Sequence, residues 1–363
     1  MRGFVRRLFR HRSAIVALGF LAAVALACLV GPELTGHDPG RIYPDLVGTP
    51  PGLAAHPRPG TVRPALERLA FRMRVTVRAI TIRDGTAHLT VDAPRSIDPR
   101  VLTYLPRSDL FGPATILERA EDGRRLVVSV PVLEQRFLLG TDVLGRDLLT
   151  RTLVAGRVSL VIGLVATGVA LLIGLTYGAV AGYAGGRLDA VMMRLVDVLY
   201  ALPFVFFVIM LLVFFRAGLG LILVAIGAVE WLDMARMVRA QTLSLRQRDF
   251  VRAAEALGLS SARILVRHIV PNTLGPVTVA ATVLVPKVIL LESFLSFLGL
   301  GVQEPQTSWG ALIAEGARAI ESAPWMLAAP AALLVTTLLA LNVLGDALGE
   351  ALDPRRDALT APR

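Results

Sequence analysis

Six apolar runs divide the chain, at residues 13–30, 159–182, 191–215, 219–238, 273–298 and 325–348, with short polar, arginine-bearing segments between the later ones. At about 1.5 Å of rise per residue, runs of roughly 20 residues cover the roughly 30 Å hydrocarbon of a bilayer. The pattern predicts an all-α polytopic membrane protein with six transmembrane helices. The first run follows a basic segment (Arg2, Arg6, Arg7, Arg10, Arg12) and contains Ala25-Leu26-Ala27, which imitates a cleavable signal. Its length favours an uncleaved anchor with the N-terminus in the cytoplasm.

Between the first two runs lies one long polar stretch. Its early part, with Pro39, Pro44, Pro50, Pro51, Pro57 and Pro59, reads as irregular. Strict alternation then surrounds Asp84-Gly85, the pattern of a β-hairpin, and 125–132 supplies a further strand. An extracytoplasmic β-rich insertion over 37–136 is expected. Residues 137–158 place Leu144, Leu148, Leu149 and Leu153 near helical spacing, which predicts an amphipathic helix at the membrane interface. The resulting divisions are 1–36 (cytoplasmic N-terminus and first helix), 37–136, 137–158, 159–349 (five-helix core) and 350–363 (cytoplasmic tail).

Composition agrees with a membrane protein: 54% of the residues are hydrophobic, and mean hydropathy is +0.63. A net charge of +10 raises nucleic-acid binding, but the arginines fall in short segments between apolar runs rather than on one soluble face. With the N-terminus inside, segments 1–12, 183–190, 239–272 and 349–363 become cytoplasmic, whereas the short outer loops hold only Arg216 and Arg318. This asymmetry is the one expected of cytoplasmic loops, and it puts both termini in the cytoplasm. The single cysteine, Cys28, excludes an intrachain disulfide. No GxxxxGK[ST] loop is present, and His37, His56, His88 and His268 lack metal-ligand spacing, so neither a cofactor nor a metal is expected.

Chemistry concentrates in two places. Residues 246–271 carry five arginines between two apolar runs and must lie at a membrane surface. Ala253, Ala254, Glu255, Ala256 and Leu257 favour a helix, Gly258 caps it, and Ser260 or Ser261 begins a second short helix that Pro271 ends. The second place is a set of charges inside apolar runs. Arg194 with Asp197, and Asp233 with Arg236, are i,i+3 pairs able to neutralise each other. Lys287, the only lysine, and Glu292 are five residues apart, about 140° around a helix, so each needs a partner elsewhere. Glu230 also lacks an opposite partner in its own helix. Glu230, Lys287 and Glu292 are therefore candidates to line a translocation path, with interhelical pairing the alternative.

The 246–271 elbow resembles the EAA loop of bacterial ABC importer permeases, which runs Glu-Ala-Ala, three residues, Gly, and later Ile-x-Leu-Pro. Here it reads Arg252-Ala253-Ala254, Glu255-Ala256-Leu257, Gly258, closing at His268-Ile269-Val270-Pro271. LGTDVLGRDLLTRTLVAGRVSL, GGRLDAVMMRLVDVLYALP, ESFLSFLGLGVQEPQTSWG and NVLGDALGEALDPR are similar to the dipeptide/oligopeptide/nickel branch, specifically its C-type permease subunit. The likeness covers about residues 10–36 and 137–356. It implies a type I ABC importer permease fold in a bacterial inner membrane. It also implies a second homologous permease subunit, two cytoplasmic ATPase subunits that bind the ATP, and an extracytoplasmic solute-binding protein. The chain itself would then be no enzyme, and di- or oligopeptides would be the cargo, with nickel or another small solute as the alternative within the branch. Coupling to an ATPase is expected through Arg252, Ala253, Ala254, Glu255, Leu257, Gly258 and Pro271. Arg252 departs from the pattern's first Glu, and Glu255, one turn along, is the substitute. A proton-coupled secondary transporter, with Glu230, Asp233 and Glu292 as relay groups, is the alternative, and a membrane-anchored sensor leaves five helices unexplained.

Overall fold

The computed structural model describes residues 11–215 and 218–352. The basic residues Arg2, Arg6, Arg7 and Arg10, the loop residue Arg216 and the tail from 353 onward lie outside the described residues. Ten helices and four strands are used below: α1 Arg12–Leu34, α2 Pro59–Met73, β1 Thr76–Arg83, β2 Thr86–Asp92, β3 Thr115–Arg119, β4 Arg125–Pro131, α3 Leu148–Ala184, α4 Gly186–Tyr200, α5 Phe204–Phe214, α6 Leu219–Arg246, α7 Asp249–Ala256, α8 Ser261–Phe297, α9 Trp309–Arg318 and α10 Trp325–Leu352.

The chain folds as two compact units. The first contains the segment up to Leu34, Thr152–Glu315 and the chain from Pro330. Among the described residues four helices are long and apolar enough to cross a membrane: α1, α3, α8 and α10. A fifth span results if Gly186–Tyr200 and Phe204–Leu211 are one segment bent by 80°. That bend corrects the single helix expected over 191–215. Pro203 excludes the preceding residue from helical geometry, and its own backbone (φ −64°, ψ 120°) is extended, so the chain breaks rather than kinks. The remaining expected span is α6, a helix of 28 residues that carries Glu230, Asp233, Arg236 and Arg239 along its length and is not among the apolar four.

The core of this unit is built from α3, α4, α6 and α8, with Ile162, Ala166, Val196, Ile226, Leu232 and Val288 buried together. α3 and α6 approach backbone to backbone. A Cβ at Gly178 would stand 2.4 Å from the Ala235 carbonyl oxygen. Gly174 and Gly182, one turn to either side, face Met234 and Thr242 almost as closely. Small residues every fourth position are what lets two membrane helices pack this tightly. A second cluster joins α1 to the rest through Val24, Cys28, Ala155, Ile289 and Trp309, and the Trp309 indole donates to the Thr152 carbonyl at 3.0 Å.

The second unit comprises Thr35–Arg151 and Gly316–Ala329. Its sheet has the order β1-β2-β4-β3, antiparallel throughout. The expected hairpin is present, with Arg83 paired to Thr86 across a two-residue turn. Asp84 and Gly85 both have positive φ (48° and 70°), as a type I′ turn requires. Ala87, Leu89 and Val91 of β2 and Leu126, Val128 and Val130 of β4 alternate inward. Onto them packs α2 through Val62, Ala65, Leu66 and Ala70. Burial of each larger aliphatic side chain contributes about 1.5–3 kcal/mol.

Three expectations for this unit change. The insertion is not built of strands alone, because α2 occupies ground that reads as irregular: Pro59 sits in the first turn, where its missing N–H costs nothing, and Arg74 ends the helix in left-handed geometry. The strand Thr115–Arg119 lies outside every expected strand. Residues 137–147 form turns instead of an amphipathic helix, and helix begins only at Leu148. Asp142 is the cause. It is fully buried, and its carboxylate accepts from the Leu144 and Arg146 backbone N–H groups and from the side chains of Arg146 and Arg151. Asp147 then receives the Thr150 N–H and hydroxyl, at 2.7 and 2.6 Å, closing the first turn of α3.

Candidate coupling elbow and charged face

α7 is an eight-residue helix with Asp249 in its first turn, where a carboxylate favours the positive helix end. It ends in a Schellman pattern. The Gly258 N–H donates to the Glu255 carbonyl at 2.9 Å and the Leu259 N–H to the Ala254 carbonyl at 3.2 Å. Gly258 has φ +76°, a conformation costly for any residue with a Cβ. Val251 and Ala254 turn inward onto Tyr183, Ile264 and Ile269. Arg252, Ala253 and Glu255 are exposed, and Leu257 is 81% exposed. Of the two alanines expected to permit close approach, only Ala253 is on the outer face; Ala254 is part of the elbow's own core.

Pro271 does not end a helix. α8 runs unbroken from Ser261 to Phe297, and a π-turn over Leu265–Ile269 ends two residues before the proline. Widening that turn removes the clash between the pyrrolidine ring and the carbonyl one turn back, so the chain continues. The elbow is thus continuous with a membrane-length helix. Tyr183, at the end of α3, also holds it: its hydroxyl donates to Glu255 Oε1 at 3.0 Å, and the Arg246 guanidinium lies 5.6 Å from its ring centroid. Nothing in the sequence singles out Tyr183, since its partners are 63 and 72 residues away.

The charges within the helical unit pair between helices. Arg236 donates to Asp197 at 2.9 Å, so the expected pairs Arg194–Asp197 and Asp233–Arg236 are not formed; an i,i+3 spacing places groups near each other without excluding a better aligned partner on the next helix. Arg239 forks onto both oxygens of Asp189, at 2.5 and 2.6 Å, tying α6 to α4. Arg194 is exposed. Lys287 of α8 reaches α6, with Nζ 2.8 Å from Glu230 Oε2 and 3.0 Å from Asp233 Oδ2. Glu230 is buried, while Lys287 and Asp233 are about half exposed. A cavity of about 230 Å³ opens beside them, lined also by Met234, Met237 and Leu284.

Glu292 is separate from that group. It is fully buried and accepts from Ser296 Oγ at 2.7 Å and Ser159 Oγ at 3.3 Å. Ser159 in turn accepts the Trp309 N–H, and Ser296 the Val302 N–H and the Ser308 hydroxyl. Of the three path candidates, Glu230 and Lys287 come together at a cavity and Glu292 is enclosed in a serine network.

Residues 174–358 match the family model described as the binding-protein-dependent transport system inner membrane component. The chain belongs to that family. Residues 1–51 match a second model, the N-terminal transmembrane domain of oligopeptide transport permease C. Among curated relatives, the oligopeptide transport system permease protein OppC of Escherichia coli (strain K12) is 57% identical over 171 residues, covering 47% of this chain and 57% of that protein. The dipeptide transport system permease protein DppC of Bacillus subtilis (strain 168) is 47% identical over 180 residues, covering 49% and 56%. The chain thus matches little more than half the length of these relatives. A solved structure of the MetNI methionine ABC transporter in inward-facing conformation aligns over 57% of this chain and 96% of its own, with TM-score 0.46 and 18% identity.

Proposed function

We propose that the chain is one of two permease subunits of an ATP-driven peptide importer. In this reading α6 completes a set of six spans, both termini are cytoplasmic, and an extracytoplasmic binding protein delivers di- or oligopeptides. ATP is bound and hydrolysed by two partner ATPase subunits. Each grips one elbow, and α7 enters a groove with Arg252, Ala253 and Leu257 outward. The observation that carries the reading is mechanical: α7 turns back at Gly258 and packs through Val251 and Ala254 on Ile264 and Ile269 of α8, and α8 continues through its π-turn to Phe297 without a break. A push on α7 is therefore transmitted to α8 and, through Lys287, to α6. Two packed arrangements of these helices, biased by nucleotide on the partner, supply the coupling.

Glu230, Asp233 and Lys287 line the path beside their cavity and meet the charged ends of a peptide in transit. A nickel or other small-solute importer of the same branch shares all of this except the cargo. The test is reconstitution of the purified assembly in liposomes with its binding protein. ATP-dependent peptide uptake, with a second permease and an ATPase in the assembly, is the expected result. A proton-coupled carrier is a second reading, favoured by the buried carboxyl Glu292. It requires uptake driven by a proton gradient with this chain alone, an outcome that rejects the importer.

A further inference from the structure

The second unit contains a cavity of about 470 Å³ to which Arg68 and Arg72 of α2 and Arg107 contribute, together with Asp45, Tyr104 and Ser108. Arg68 and Arg72 are one helical turn apart, a spacing at which like charges oppose helix formation, so helix stability gives no reason for them. Among the described residues no carboxylate lies within ion-pair distance of any of the three guanidinium groups. The neighbouring acid Glu67 is taken by Arg63 at 3.4 Å. Asp45, the one acid in the wall, has Oδ2 engaged by the Ser108 hydroxyl at 2.7 Å. Arg107 is set in place over the Tyr104 ring, 4.8 Å from its centroid. The wall therefore holds an excess of positive charge with open donor capacity.

Guanidinium groups pair with carboxylates through two parallel hydrogen bonds, and Arg68, Arg72 and Arg107 are exposed around the cavity, open to a ligand arriving from solvent. The cavity falls within the usual size of small-molecule sites. A compact inorganic anion places its charge at one point. Here the donors come from two separate elements, and Leu69 adds an apolar patch to the wall. We propose that this cavity binds a small ligand carrying two or more carboxylates on an aliphatic body, an acidic dipeptide or tripeptide by size. The site lies wholly in the unit to which the importer reading assigns no role, and its failure would leave that reading intact.

The experiment is calorimetric titration of the full-length protein, in nanodiscs of zwitterionic lipid, with the dipeptide aspartyl-glutamate. Binding is expected, weakening as salt is raised, with at least a tenfold loss in Arg72→Ala and in Arg68→Ala. Arg63→Ala, on the same helix but already paired, is expected to bind as the parent does. The neutral asparaginyl-glutamine should give no heat. Absence of aspartyl-glutamate binding, equal binding of the neutral dipeptide, undiminished binding in both variants with unchanged circular dichroism, or displacement by equimolar inorganic phosphate would each overturn the proposal.

Discussion

Replacing Lys287 by Met removes the cation that faces Glu230 while preserving most of the side-chain volume. Glu230 is 4% exposed, and its carboxylate lies 2.8 Å from the ammonium. The gross attraction at that separation is about 6 kcal/mol for an effective dielectric of about 20. Removing one member of a buried pair costs roughly 3–5 kcal/mol, because the other charge is left in a poor solvent. Half of Lys287 is exposed, which places the expected loss at the lower end, about 3 kcal/mol, or more than a hundredfold in the folding equilibrium. Glu230→Gln alone should cost less, since Lys287 keeps Asp233 at 3.0 Å. The double variant Lys287→Met with Glu230→Gln should recover most of the loss, because both charges leave together. Reversible unfolding in mixed micelles, followed by circular dichroism for the parent and three variants, gives the cycle. The reasoning is refuted if Lys287→Met lies within about 0.5 kcal/mol of the parent, or if adding Glu230→Gln restores nothing.

Gly178→Val should separate α3 from α6, since the added atoms meet the Ala235 carbonyl and Val238; a loss of about 3 kcal/mol in the same unfolding assay is expected. Gly168→Ala, in the same helix with nothing within 4 Å of the new Cβ, is the control and should be neutral or stabilising by up to about 1 kcal/mol. In the second unit, burial raises the Asp109 pKa above the ordinary carboxylate range, opposed by Arg41 and assisted by Asp45. A raised folded-state pKa means that stability is full below the unfolded value and falls as pH rises through the folded one. Asp109→Asn should therefore raise the melting temperature of the unit near pH 7, with the gain shrinking as pH is lowered toward the ordinary Asp range; a pH-independent gain contradicts this.

Local signals are legible in the sequence and long-range ones are not. Asp84-Gly85 between alternating residues specifies the hairpin, because a two-residue turn with positive φ at both positions is a property of those two residues. Gly258 after a run of helix formers marks the elbow for the same reason. The Asp142 turns are equally local, with Arg146 and Arg151 converging on one buried carboxylate from four and nine residues on, but the leucine spacing there imitates a helix and hides them. Spacing misleads about charge pairing where two partners compete: Asp197 has Arg194 three residues away, yet Arg236 on another helix takes it. Periodicity also gives no hint that Pro271 is absorbed by a π-turn.

Cross-linking from the elbow of the working assembly tests the coupling claim most directly. The chain has one native cysteine, Cys28, which is buried, so introduced thiols report with little background. Leu257→Cys, on the exposed face, should join an ATPase subunit in a yield that changes with bound nucleotide. Ala254→Cys, facing the elbow's core, should not. A Leu257→Cys protein that supports uptake yet joins no ATPase in any nucleotide state, or reacts only with a lipid-borne reagent, contradicts the account.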